Sequence, residues 1–232
     1  CILVNDASND DSKQILEKIT HNDKRFHLIN NEKNIGVTSS RNRGISKAKG
    51  EFICFLDSDD VWRPDFLDSH LKFRDKNPNL AITYSPYYVF YKKKSNIYGY
   101  KVKPPDKVDS KNILYKNYLP LLTVMLDIKI IGKITFSQLR PEDYYLWVEL
   151  IHKRGFIAKS LKSFTAYYRI SSTQRSSNKF LAIQRLYKLY MNNTNNIFVS
   201  YFCILRWSLM NLRQRSKKTK ILNKKENKYI NS

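Results

Sequence analysis

The first 90 residues alternate short apolar runs with longer stretches that carry an apolar stripe at helical spacing. Residues 2–4 read as a strand and residues 6–12 as a polar loop. Residues 12–21 read as a helix with Ile15, Leu16 and Ile19 on one face. Residues 26–29 form the next strand, Asn34-Ile35-Gly36 a turn, and residues 38–47 a helix that stops before Gly50. Residues 52–56 are a third strand. Pro64 suits the first turn of a further helix, with Phe66, Leu67, His70, Leu71 and Phe73 as its stripe. Residues 80–91 read as another strand. Repeated strand–helix units predict an α/β fold with a mostly parallel sheet, flanking helices and right-handed crossovers. Residues 92–112, rich in Lys and Pro, read as a loop; residues 113–165 as mixed structure; residues 163–168 as a strand; and residues 180–215 as amphipathic helix.

The third strand has chemical consequences. Its five apolar residues run into Asp57, Asp59 and Asp60, where a strand of an open α/β sheet would end. Carboxylates crowded at such a point repel one another unless a cation sits between them. The pattern points to a divalent metal and a phosphorylated ligand. Three acids also exceed what capping the helix after Pro64 requires.

Charge adds a second theme. The net charge is +22. Residues 1–80 hold 13 basic and 13 acidic residues, so the whole excess lies in residues 81–232. Such a surface favours polyanions, anionic lipid or phosphate-rich substrates, or is a basic solvated face with no dedicated partner. The apolar run at 197–210 is too short to span a bilayer and is interrupted by Arg206. Arg213, Arg215, Lys217, Lys218 and Lys220 follow it. This suits either a helix lying in the headgroup region of a membrane or a core helix with a frayed tail. Cys1, Cys54 and Cys203 form no CxxC pair, and the four histidines show no metal-ligand spacing. A reducing compartment is the simpler reading. No RRM, KH or helix-turn-helix signature supports nucleic-acid binding.

Five segments carry a resemblance in order and spacing: Val4-Asn5-Asp6 through Ser12, Asn34 through Gly44, Ala48 through Asp60, Arg140-Pro141-Glu142-Asp143 through Trp147, and Tyr167-Tyr168-Arg169 through Ser171. Together they resemble the family 2 glycosyltransferases, which have the Rossmann-like GT-A fold. The resemblance implies a domain over residues 1–178 and a basic amphipathic helical tail over 179–232. It implies an inverting transferase that moves a sugar from a nucleoside-diphosphate donor, in particular a UDP-sugar, to a glycan or lipid-linked acceptor. The setting would be cell-surface polysaccharide or lipooligosaccharide biosynthesis, in the cytoplasm or at the inner face of the membrane. Asp57-Ser58-Asp59 matches the family's DxD motif. Asp59 is then a ligand of Mn²⁺ or Mg²⁺, Asp60 an extra ligand, and Asp57 a contact to ribose or to the metal's outer shell. Asp143 matches the catalytic base, with Glu142 orienting or capping. Asp6, Arg41 and Arg169 join the nucleotide-sugar site, and Arg175 and Lys179 are candidates to cover the diphosphate. Taken alone, Asp6 is equally a turn and cap residue, Arg41 a solvated helix arginine, and Glu142-Asp143 an acidic pair answering a helix dipole.

The chain departs from the family pattern at its start, where the family's first strand and helix have no counterpart. A gap is therefore expected between the strands at 2–4 and 52–56, with part of the nucleotide pocket missing, at the expense of activity. The competing reading is a noncatalytic basic protein that binds anionic membranes or polymers.

Overall fold

The computed structural model of the protein describes residues 1–94, 96–170, 179–194, 196–215, 220–222, 226 and 228–230. The first strand and helix units form as the periodicity predicts. β1 (Ile2–Asn5) leads to α1 (Ser12–Asn22), β2 (His27–Asn30) to α2 (Val37–Lys47), and β3 (Phe52–Cys54) through the two-residue β4 (Val61–Trp62) to α3 (Phe66–Asp75). α2 follows Gly36, whose φ of 85° is the left-handed region that glycine adopts without strain. Farther along α2, Gly44 faces β1. A Cβ there would lie 3.4 Å from Val4 Cγ2, so the helix seats closely on the strand.

The strands divide among three sheets. β1 and β2 pair in parallel as a two-stranded sheet. The second sheet has the order β3-β9-β5-β10-β8, with β5 (Ile82–Tyr84), β8 (Lys107–Val108), β9 (Val124–Asp127) and β10 (Ala158–Ser160). The third has the order β12-β7-β6-β11-β4, with β6 (Tyr87–Lys93), β7 (Asn96–Val102), β11 (Ala166–Arg169) and β12 (Lys220–Ile221). Pairing is mixed. β1–β2, β5–β10 and β6–β11 are parallel, and the other ladders are antiparallel. Among the described residues β1 pairs with β2 alone and β3 with β9 alone, so the expected separation between them is present.

Two expectations need correction. The single strand read over 80–91 is two strands in two sheets. Ser85 and Pro86 break it, because proline has no N–H to donate to a ladder. The Ser85 N–H instead donates to Thr123 O (3.2 Å), and the Thr165 hydroxyl donates to Ser85 Oγ (2.7 Å), tying the two sheets at the crossing. The Lys- and Pro-rich stretch read as a loop contains β7, which pairs with β6 from Asn96↔Lys93 to Val102↔Tyr87. Gly99 permits that approach, since a Cβ there would collide with the Val89 carbonyl.

The main core gathers β5 and β9 with α4 (Ile128–Ile131), α5 (Glu142–Trp147) and the π-helical turn Val148–Lys153 that continues α5. α6 (Lys179–Thr194) and α7 (Ile197–Arg215), read from the sequence as a tail, add Leu186, Leu189, Tyr190 and Cys203 to this same core. A smaller cluster of Tyr88, Phe90, Ile97, Tyr167, Leu222 and Ile230 covers one face of the third sheet.

Asp127 joins these layers. Buried at the end of β9, its carboxylate accepts from the N–H groups of Lys129 (3.0 Å) and Ile130 (3.3 Å), capping α4, and from Arg74 Nη2 of α3 (2.8 Å). Asp127→Ala removes a cap and strands a partly buried guanidinium. It is expected to cost about 3 kcal/mol. The exposed Asp68–Lys72 pair is the control, and Asp68→Ala should cost under about 0.5 kcal/mol. Urea melts of the two variants check the contrast.

Candidate active site

The acids that end β3 lie on a turn closed by the Asp60 N–H donating to Asp57 O (3.0 Å). The turn sends the three side chains to different places. Asp57 meets Arg41, which projects from α2. Arg41 Nη2 donates to both Asp57 oxygens (2.6 and 2.8 Å), while its Nη1 donates to Glu142 Oε1 (3.0 Å). The guanidinium lies 5.6 Å from the Phe136 ring centroid. Arg140 Nη1 donates to the other Glu142 oxygen (2.8 Å). Two arginines therefore neutralise the buried Glu142, and one of them also neutralises Asp57. An arginine fork matches carboxylate geometry, which is why one side chain can bridge two acids. In this structure the Arg41 guanidinium is engaged by Asp57 and Glu142.

Asp59 is exposed. Asp60 is buried, and its Oδ1 accepts from the Arg169 N–H of β11 (2.9 Å). Burial, together with the negative charges of Asp59 and Asp57, pushes the Asp60 carboxyl up to about 7 against the pull of that N–H. Asp60 thus staples β11 to the acidic turn. It is a poorer hard-cation ligand than its exposed neighbour. Among the described residues no group of three or more His, Cys, Asp or Glu side chains is arranged to hold a metal. A divalent ion here would rest on one or two carboxylates and complete its shell with water and ligand phosphates, as Mg²⁺ commonly does.

α5 presents the second half of the site. Its first residues follow Pro141, which sits in extended backbone and cannot continue a helix toward its N-terminal side. Asp143 is half-buried. Asn117 Nδ2 donates to its Oδ2 (2.9 Å), and the Tyr144 N–H donates to its Oδ1 (2.8 Å). Desolvation, and next to it the charge of Glu142, raise the Asp143 carboxyl to about 6, opposed by those two hydrogen bonds and by Arg41. The helix is anchored from below. Trp147 Nε1 donates to Leu119 O (2.8 Å) and the Tyr144 hydroxyl to Ile113 O (2.7 Å).

On β11, Tyr168 precedes Arg169, whose N–H holds Asp60. Burial pushes the Tyr168 hydroxyl up to about 12, and the carboxylates of Asp60, Asp59, Asp143 and Asp57 add to the shift. Tyr168 and Asn117 escaped the sequence reading. Tyr168 carries a signal in hindsight, because residues alternate faces along β11 and its neighbour Arg169 goes the other way, with its guanidinium 5.4 Å from the Phe90 centroid. Asn117 carries none, since it lies on an irregular segment between 3-10 turns.

Asp6, after β1, is held by three donors. Asn31 Nδ2 donates to Oδ1 (2.8 Å), and the N–H groups of Ile35 and Gly36 donate to its two oxygens (both 2.9 Å). Burial would raise its pKa, but these bonds outweigh it and hold the carboxyl below its usual value. Asp6 builds the loop that launches α2 and so positions Arg41. Asn42, next to Arg41, bonds both ways with the Phe136 backbone (2.7 and 2.8 Å), fixing α2 to the segment before α5. The Arg175 and Lys179 side chains lie outside the described residues.

Comparisons with known proteins agree with this geometry. The description "Glycosyl transferase family 2" matches residues 1–144. The chain is 33% identical over 184 residues to the Escherichia coli UDP-Glc:alpha-D-GlcNAc-diphosphoundecaprenol beta-1,3-glucosyltransferase WfaP, covering 79% of this chain and 70% of that protein. It is 28% identical over 216 residues to the E. coli enzyme of the same activity, WfgD, covering 93% and 83%. Among solved structures, S. aureus TarS 1-349 in complex with UDP-GlcNAc superposes with a TM-score of 0.61 at 18% identity, over 89% of this chain. The Pyrobaculum calidifontis mannosyltransferase PcManGT in complex with GDP-Man and Mn²⁺ gives 0.57 at 13% identity, over 94% of this chain. These two likenesses concern the fold. The chain spans 61% of the TarS fragment and 66% of PcManGT. With a family match over more than half its length and this arrangement of acids, the chain belongs to glycosyl transferase family 2 and is a glycosyltransferase of the GT-A fold.

Proposed function

We propose that the protein moves a sugar from a UDP-sugar to a hydroxyl of a lipid-linked or glycan acceptor, with inversion, in the assembly of a cell-surface polysaccharide at the cytoplasmic face of a membrane. The observation that carries this reading is the Arg41 guanidinium, which joins Asp57 of the acidic turn to Glu142, the neighbour of Asp143. WfgD and WfaP bear names that specify a UDP-glucose donor and a diphosphoundecaprenol-linked acceptor. TarS was solved with UDP-GlcNAc, and PcManGT with GDP-Man and Mn²⁺.

In this mechanism Asp143 accepts the proton of the attacking acceptor hydroxyl as that oxygen closes on the anomeric carbon. Asn117 and the Tyr144 N–H fix the carboxylate, and Glu142 beside it keeps it basic enough for the task. Attack from the side opposite the leaving group inverts the centre in one displacement. Arg41 holds Asp57 and Glu142 together, so it fixes the spacing between the donor side and the base. Asp59, exposed at the strand end, is the residue that would hold Mn²⁺ or Mg²⁺. A bound ion there neutralises charge on the departing diphosphate. A noncatalytic binding protein would have no use for a carboxylate held at an elevated pKa opposite a second acidic turn.

The test is a donor panel with Mn²⁺ that scores nucleotide release in the presence of a polyprenyl-diphosphate sugar. Asp143→Asn should lower kcat about a thousandfold with little change in donor affinity. Asp59→Ala should weaken donor and Mn²⁺ binding together while the melting temperature stays put. Retention of full turnover by both variants would overturn the reading.

The pH dependence has a defined sign. The base must be ionised, so kcat/KM should rise about tenfold per pH unit below about 6 and level off above it. The same elevation makes ionised Asp143 a burden on the fold. Its stability contribution is most favourable below the unfolded carboxylate value and is lost as pH rises through about 6. A rate profile whose acid limb falls near 4 would place the proton on another group.

A further inference from the structure

α7 has two apolar faces, and among the described residues one of them is packed against the core and the other is exposed. Ser200 and Cys203 are buried, and Ile204 and Trp207 pack beside them against the main core. The opposite face carries Phe198, Tyr201, Phe202, Leu205 and Leu209, at helical spacing and open to solvent. Phe198 is 81% exposed and Leu205 60%. Phe180, at the start of α6, is also exposed, at 70%. A helix that is apolar all round belongs in a core or in lipid, and a ridge of large side chains left in water marks an interaction surface.

The charge of the surroundings selects the occupant. Between Glu149 and Glu226 the chain has no acidic residue, while residues 150–225 contain 17 Lys and Arg. The whole of α6 and α7 lies in that stretch. A second copy of the chain would bring one helix pair holding six Lys and Arg and no acid against another, which like-charge repulsion opposes. An anionic bilayer offers what both features need: acyl chains for the aromatic and leucine side chains, and headgroup phosphates for the cations around them. No helix among the described residues is long and apolar enough to cross a membrane. The contact is therefore one of lying on the surface.

We infer that the α6–α7 pair is a docking surface for anionic lipid, with Phe198, Phe202 and Leu205 entering the headgroup–acyl boundary. This goes beyond the transfer reaction and does not depend on which sugar is moved. Docking also orients the site. The Tyr144 hydroxyl meets the Tyr190 hydroxyl of α6 at 3.4 Å, and the Arg206 guanidinium of α7 lies 4.1 Å from the Tyr115 centroid. α5, with Asp143 at its start, thus rests directly on the helix pair.

The experiment is flotation of the full chain with phosphatidylcholine vesicles, with and without phosphatidylglycerol. Phe198→Ser/Phe202→Ser is run beside it, with circular dichroism melts of both proteins and sedimentation velocity in the absence of lipid. The full chain should float with phosphatidylglycerol vesicles and not with phosphatidylcholine alone. The double variant keeps every charge and should bind at least about tenfold more weakly, with an unchanged melt because both side chains are exposed. Failure of the full chain to float, or equal binding by the variant, overturns the inference. So does a lipid-free dimer that the variant converts to monomer, which would make the ridge an interface between copies. Turnover on a short soluble acceptor should be the same for both proteins, so a failed docking result leaves the reaction assignment standing.

Discussion

A single guanidinium holds the two halves of the site in register. Arg41 reaches from α2 to the acidic turn after β3 and to the first residue of α5, 101 positions away in sequence. Without it, Asp57, Glu142 and Asp143 would face one another across a poorly hydrated gap with too little positive charge to balance them. Breaking such a partly buried network by removing one partner costs far more than the network is worth against an apolar replacement. Much of the nearby structure serves that one side chain. Asp6 shapes the loop that starts α2, Gly44 lets α2 settle on β1, Asn42 ties the helix to Phe136, and Phe136 lies beneath the guanidinium. These are local rules of loop, helix and packing serving an electrostatic end.

The same arrangement explains why three adjacent acids have three fates. Asp57 is neutralised by arginine, Asp59 is left to solvent, and Asp60 is drawn inward to a backbone N–H of β11. Of the three, the middle carboxylate is the one that is exposed. A run of carboxylates in a sequence is therefore not a count of ligands. The turn decides which one is offered.

The helices and strands up to residue 75 were legible because α1 and α3 carry apolar stripes, the strands are short apolar runs, and clear stops such as Gly50 after α2 separate them. The Asp57–Asp60 cluster stood out because acids at the end of an apolar run have few other uses. β7 was hidden because its lysine-rich flanks masked the alternation of Ile97, Gly99 and Lys101 with Tyr98, Tyr100 and Val102. The split between β5 and β6 rests on Pro86, a signal that was present but outweighed by the apolar run on either side. The pairing of Arg41 with Glu142 and the contact of Asn117 with Asp143 are products of tertiary folding. No local pattern encodes them.

The acid-free stretch beyond Glu149 has one more consequence. Lysine and arginine keep their charge across the whole physiological range, and that segment has no carboxylate to offset them. Its attraction for anions is therefore indifferent to protons and governed by ionic strength. The Asp143 carboxyl, raised to about 6 and held by Asn117 and the Tyr144 N–H, answers to acidity instead. One molecule thus carries two independent controls, one set by the hydrogen-ion level and one by the electrolyte around it.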